Sequence, residues 1–226
     1  MKIKLPVLFV NFKTYEEATG KNAIKLAMLC ESVAKKQNAS IVLVVQAVDL
    51  RAVAEAVSLP VFAQHVDAIS FGANTGRILP EAIKEAGAIG SVINHAELKQ
   101  PNDAIQKAIA RCHEAGLLVM ACAETNERAI QLAAFAPDFI AVEPPELIGG
   151  NISVSTAKPE LITDSVKSIK GINPSINVIT GAGVKTAGDV SKAIMFGTVG
   201  VFVASGIIKA KDQNAALLDL ASGMKK

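Results

Sequence analysis

Eight short apolar runs punctuate the chain, at residues 5–10, 41–45, 61–63, 89–93, 117–121, 139–142, 176–179 and 199–203. None alternates apolar with polar positions, which is the pattern of strands buried on both faces in a parallel sheet. Between the runs, apolar residues recur at helical spacing over 23–34, 52–57, 80–86, 103–115, 127–135, 159–169, 187–196 and 214–221. Gly87 and Gly116 stand where two of these helices should stop. Pro80 stands where one should open, and Asn102 with Asp103 where another should be capped. Strand and helix alternate to the end, at roughly one unit per 28 residues. The expected fold is therefore α/β, a single-domain (β/α)8 barrel over residues 1–226, since eight such units suffice to close a parallel sheet. An open doubly wound sheet is the other arrangement of such units, but no Gly-x-Gly-x-x-Gly follows the first strand.

Composition narrows the partner. Half of the 226 residues are hydrophobic, enough for one large core, and Lys plus Arg exceed Asp plus Glu by only two. No field capable of recruiting nucleic acid or a membrane surface follows from that balance, so the expected partner is a small molecule. Cys30, Cys112 and Cys122 are odd in number and sit in apolar or helical surroundings. They read as buried free thiols of a reducing, cytoplasmic compartment. A Cys112-His113-Cys122 metal site would lack an evident fourth ligand. Residues 1–10 hold an apolar run broken by Pro6, too short for a secretory leader, and no later run is long enough to span a bilayer.

The most informative stretch is residues 139–150, FIAVEPPELIGG. An apolar strand ends in a lone carboxylate, Glu143; the chain stiffens at Pro144 and Pro145 and loosens at Gly149 and Gly150. A carboxylate on a rigid strand beneath a segment able to close over it is a base that can be stripped of water. In a (β/α)8 barrel, active residues stand just after the strands at one rim. Asn11-Phe12-Lys13 follows the first strand and Asn94-His95-Ala96-Glu97 the fourth. With Glu143 as base, His95 suits an electrophile and proton shuttle, Lys13 a cation for a developing oxyanion, and Asn11 a hydrogen-bond donor; Phe12 points elsewhere. Glu97 suits a partner that holds Lys13. Gln64 and His65 read as structural. Gly181-Ala182-Gly183-Val184 follows the seventh strand, and Ala204-Ser205-Gly206 follows the eighth and leads into a short helix. Such glycine-rich ends with exposed N–H groups form an anion seat where barrels commonly bind phosphate.

Taken in order, these motifs resemble triosephosphate isomerase across essentially the whole chain, in particular its shortened archaeal form. The resemblance implies a TIM barrel that interconverts D-glyceraldehyde 3-phosphate and dihydroxyacetone phosphate through an enediolate, in glycolysis and gluconeogenesis, with no cofactor and no metal. It implies that Glu143 moves the carbon-bound proton while His95, neutral and held at a helix amino end, serves the oxygens. Asn11, Phe12, Lys13, Ile148, Gly149, Gly183, Ala204 and Ser205 are the implied substrate-binding residues. The flap would close over the substrate and restrain the enediolate from losing its phosphate. Residues 74–76, in the long loop after the third strand, would reach into a neighbouring subunit, with a homotetramer expected and a homodimer as the alternative.

The chain departs from longer members of that family: it has no Trp at the flap hinge, Thr180 and Gly183 replace a Tyr and a Ser, and Leu98-Lys99 replaces a basic pair. Two rivals are open to the same barrel. An aldolase would need a Schiff-base lysine in an apolar pocket, and a non-catalytic phosphometabolite-binding protein would have lost Glu143, His95 or Lys13.

Overall fold

A computed structural model describes residues 3–150 and 152–225; Met1, Lys2, Asn151 and Lys226, and with them the ends of the expected 1–226 span and part of the 1–10 stretch, lie outside the described residues. Eight parallel strands form the centre: β1 (Val7–Asn11), β2 (Ser40–Val45), β3 (Val61–Ala63), β4 (Gly90–Ile93), β5 (Leu118–Ala123), β6 (Phe139–Val142), β7 (Asn177–Gly181) and β8 (Gly200–Val203). They pair in chain order, and β8 pairs back on β1 to close the barrel. The helices between them are α1 (Lys21–Gln37), α2 (Ala47–Ala56), α3 (Pro80–Glu85), α4 (Asn102–Glu114), α5 (Asn126–Ala133), α6 (Val154–Ala157), α7 (Pro159–Ile172), α8 (Ala187–Met195), α9 (Ser205–Ile208) and α10 (Gln213–Ser222).

Alternation along each strand sorts the apolar residues into two cores. Val7, Phe9, Val42, Val44, Phe62, Met120, Phe139, Ile179 and Phe202 fill the lumen. Leu8, Val10, Ile41, Leu43, Ile140 and Val201 face outward against the helices. Both faces of every strand are thus buried, which is why the runs carry no polar alternation. Phe9 stacks edge-on against Phe62, Phe139 and Phe202 at centroid distances of 5.5, 5.4 and 6.4 Å, filling the lumen beneath the rim.

Local signals explain most boundaries. Pro80 opens α3 at its first position, and Gly87 and Gly116 follow helices with φ of 103° and 72°. Two expectations fail. Asn102 and Asp103 do not cap α4, because Asn102 is already helical and its side-chain oxygen accepts from Arg128 instead. Helix α2 begins at Ala47 rather than Ala52: its N-cap, Gln46, makes no side-chain cap bond, and Val48, 84 % exposed, interrupts the amphipathic pattern.

Candidate active site

The lumen row of each strand continues past its last apolar residue. Asn11 follows Phe9, Glu143 follows Ala141 and Gly181 follows Ile179, each two residues on, so all three belong to the inward row at the carboxyl rim. There Asn11 and Glu143 border a cavity of about 190 Å³ that Lys13, His95 and Glu97 also line. Ile148, Gly149, Gly183, Ala204 and Ser205 line it as well.

Three residues after strands hold left-handed backbone conformations without being glycine: Lys13 (φ 47°), Asn94 (φ 56°) and Ala182 (φ 72°). Such conformations cost free energy and persist only where surrounding bonds impose them. At Lys13 those bonds are visible. Asn11 Oδ1 accepts from its N–H at 3.0 Å, and Gln64 Nε2 donates to its carbonyl at 2.9 Å. Asn94 donates to the Cys122 carbonyl at 2.8 Å and accepts from Gln100 N–H at 2.9 Å. The Ala182 carbonyl accepts from Val154 N–H at 3.1 Å. The Lys13 ammonium then meets Glu97 Oε1 at 2.6 Å, with the lysine side chain only 11 % exposed.

The Glu143 carboxylate is buried, and its Oε2 has no hydrogen-bond partner. Burial pushes its pKa up to about 7, against the opposing effects of Lys13 and the Cys122 thiol. That oxygen lies 3.8 Å from His95 Nε2. The opposite ring nitrogen, Nδ1, accepts from Glu97 N–H at 3.2 Å. A ring nitrogen that accepts cannot carry a proton, so the imidazole is neutral with its hydrogen on Nε2, facing Glu143 and the cavity. Burial and the Lys13 charge lower the His95 pKa in the same direction, with Glu97 opposing. The N–H that fixes this tautomer comes from a turn, closed by Leu98 N–H on the His95 carbonyl at 2.8 Å, and α4 starts only at Asn102. The expected helix amino end at His95 is therefore absent, and the turn serves in its place.

Two glycines, at the carboxyl end of β7 and in the loop after it, make room for their neighbours. A Cβ on Gly181 would lie 2.3 Å from Glu143 Oε1 and 2.8 Å from the Phe202 carbonyl, so this residue makes room for the carboxylate. A Cβ on Gly183 would lie 2.1 Å from the Ile152 carbonyl, where the chain that follows Gly150 rests on the β7 loop. The segment expected to close is a chain of turns: Leu147, Ile148 and Gly150 N–H donate to the Pro144, Pro145 and Leu147 carbonyls at 3.0, 3.1 and 3.0 Å. Gly149 adopts φ 72°, whereas Gly150 has no such requirement. Across the cavity, α9 starts at Ser205, and the first N–H groups of a helix have no partner within it.

Most of the rim residues picked from sequence meet around this cavity. Phe12 does not: its side chain is fully buried in the outer core, so it can offer a ligand no side-chain contact. The Cys112-His113-Cys122 group is also dispersed, with Cys112 in the outer core, Cys122 in the lumen, and His113 3.1 Å from Asp138. Among the described residues, no group of three His, Cys, Asp or Glu side chains could hold a metal ion. All three cysteines are free and buried. Thr180, buried on the outward row of β7, donates to the Val142 carbonyl at 3.0 Å. Tyr15, which lines the cavity beneath the Lys209 ammonium, was missed, and Gly181 was read only as part of the anion seat and not as the space beside Glu143. Tyr15 carries no sequence signal. The role of Gly181 could have been found by extending the inward row of β7 to the level of Glu143.

The Triosephosphate isomerase family profile matches residues 6–223. The triosephosphate isomerase of Methanothermus fervidus is 46 % identical over 219 residues, covering 97 % of this chain and 99 % of its own. That of Archaeoglobus fulgidus is 44 % identical over 217 residues, covering 96 % and 97 %. A crystal structure of triosephosphate isomerase from Bartonella henselae superposes with a TM-score of 0.75 at 16 % identity, covering 96 % of this chain and 97 % of its own, a likeness of fold.

Proposed function

Because the chain belongs to the triosephosphate isomerase family, and so to the isomerases of triose phosphates, we propose that Glu143, His95 and Lys13 carry the reaction at this rim. The Glu143 carboxylate removes the proton from the carbon beside the substrate carbonyl. The His95 Nε2–H donates to the carbonyl oxygen as the double bond shifts, giving an enediol-like intermediate with no atoms gained or lost. The Lys13 ammonium and the Asn11 amide stabilise the negative charge on oxygen. Return of the Glu143 proton to the neighbouring carbon, with the second oxygen's proton passed through the imidazole, completes the conversion of D-glyceraldehyde 3-phosphate to dihydroxyacetone phosphate. The single observation that carries this reading is the buried, unpartnered Glu143 Oε2, 3.8 Å from a histidine nitrogen whose proton is fixed by Glu97 N–H.

The β7 loop at Gly183 and the start of α9 at Ala204 and Ser205 hold the phosphate in this reading, with Ile148 and Gly149 of the flap over the substrate. Closure keeps water from the enediolate. We place the enzyme in glycolysis and gluconeogenesis in the cytoplasm, in keeping with three free, buried thiols. Among the described residues, no helix is long and apolar enough to cross a membrane. A homotetramer is proposed, with a homodimer as the alternative. Its support is Phe71, a large apolar side chain 77 % exposed in the loop after β3. Light scattering at the monomer mass would reject that assembly.

The test is turnover of the purified protein on D-glyceraldehyde 3-phosphate, with Glu143→Gln alongside. Turnover in the unmodified protein and loss in the variant are expected. Binding without turnover in the unmodified protein overturns the proposal in favour of a phosphometabolite-binding role.

A further inference from the structure

Among the described residues, four charged ones border the cavity: Lys13, Glu97, Glu143 and Lys185. Lys13 meets Glu97 at 2.6 Å, so its charge is already paired before any ligand arrives. A phosphate monoester brings about 1.5–2 negative charges into the same space. Without Lys185 that anion would face one ammonium and, once Glu143 is ionised to act as base, two carboxylates. Another ammonium, that of Lys209, lies over the Tyr15 ring rather than on the cavity wall, and both oxygens of Glu17 accept from it at 2.8 Å. The cationic charge that a phosphate needs here therefore falls to Lys185.

The stem of Lys185 is placed by the backbone around it. Its N–H donates to Asp189 Oδ2 at 3.1 Å, which fixes the loop after β7 at this residue. Gly206, the second residue of α9, has no side chain, and a Cβ there would lie 2.8 Å from the Val184 carbonyl and 3.4 Å from Lys185 Cγ. Absence of that carbon lets the β7 loop close on α9 and lays the lysine stem against its first turn. Ala204 and Ser205, which the proposed function assigns to the phosphate, stand immediately before Gly206. Lys185 is only partly exposed, so some of the freedom its long stem would lose in gripping a ligand is already lost in the free protein.

We infer that Lys185 is a specificity-determining residue of this cavity: its ammonium adds a side-chain charge to the main-chain donors of the anion seat and selects phosphorylated trioses over uncharged ones. The inference rests on the proposed function for the identity of the anion. Main-chain N–H groups recognise oxygen acceptors in fixed directions, whereas an ammonium on a flexible stem follows charge. The grip on phosphate should accordingly weaken with salt, and much of that sensitivity should belong to this one residue.

The experiment compares the unmodified enzyme with Lys185→Met, which keeps a long stem and the backbone N–H but drops the charge, and with Lys185→Arg, which keeps the charge. Two quantities are measured for each. One is the ratio of kcat/KM on D-glyceraldehyde 3-phosphate to that on unphosphorylated D-glyceraldehyde, the latter followed by proton exchange at carbon in heavy water. The other is the Kd of inorganic phosphate, by calorimetry at low and high salt. In Lys185→Met the ratio should fall about tenfold and the Kd should rise about tenfold, as expected for loss of one hydrogen bond between charged groups. Its Kd should also depend less steeply on salt than that of the unmodified enzyme. Lys185→Arg should restore most of both quantities. An unchanged ratio in Lys185→Met, or a loss of equal size on both substrates, overturns the assignment, since a lysine that only props the loop would move both substrates together. An unmodified protein without turnover would instead refute the proposed function, and its affinity for inorganic phosphate would still test Lys185, so the two failures are distinguishable.

Discussion

Replacing Glu143 by Gln should do two opposite things: cut turnover steeply and stabilise the fold, the second only above a defined pH. Burial raises the Glu143 pKa from 4.5 to about 7. Below about pH 4.5 the carboxyl is protonated in folded and unfolded chains alike, and contributes nothing to the difference between them. Between there and neutrality the unfolded chain releases this proton while the folded chain retains it, so the unfolded state gains and stability falls as pH rises. Above about pH 7 both forms are ionised and the full penalty stands. At about 1.4 kcal/mol per unit, the displacement from 4.5 to about 7 corresponds to roughly 3 kcal/mol. Glutamine occupies the same space without a charge, and any cost of its amide N–H groups, about 1–3 kcal/mol if unpaired, is independent of pH. The stability of the variant minus that of the parent should therefore rise by roughly 3 kcal/mol between about pH 4.5 and pH 8. Urea unfolding of both proteins across that range measures it directly. A difference that stays flat with pH would refute the raised pKa, and with it the argument that burial tunes this carboxylate. Turnover of the same variant should fall by about 10²–10⁴-fold, the range for loss of a general base.

Further predictions concern the groups around that base. Gly181→Ala should lower kcat/KM by about 10²-fold, because its Cβ would displace the Glu143 carboxylate; a variant of normal activity would show that the site can absorb the 2.3 Å contact. Nitrogen-15 NMR should show His95 neutral at pH 7, with Nδ1 bare and Nε2 protonated; an imidazolium spectrum would contradict the bond from Glu97 N–H. Glu97→Gln should change stability by less than about 1 kcal/mol, since that carboxylate is largely exposed. It should lower kcat/KM about tenfold, as Lys13 loses the group that aims it; unchanged kinetics would mean that the Asn11 and Gln64 bonds suffice to hold Lys13.

The barrel was legible because burial on both strand faces leaves an unbroken apolar signature, as in β2 and β6. The rim chemistry was legible because strand ends can be read from those runs, and Glu143 and Asn11 then follow by alternation. What escaped depends on contacts between distant segments. The neutral His95 rests on a turn that no capping signal marks. Gly181 looks like a loop glycine until Glu143 is placed beside it. Phe12 divides the two readings: alternation turned it away from the rim, the resemblance placed it among the substrate-binding residues, and its ring lies in the outer core.

The phenylalanines stacked across the lumen have a consequence for traffic. Among the described residues they plug the barrel beneath the rim, which makes the site a well open at the carboxyl side. Entry and departure must use one doorway in turn, and a departing product obstructs the next arrival. Nothing in such a vessel favours one direction of travel. The enzyme can only hasten the approach to the ratio that the two trioses would reach unaided, and the sign of the net flow is decided by whatever fills or drains the solution outside.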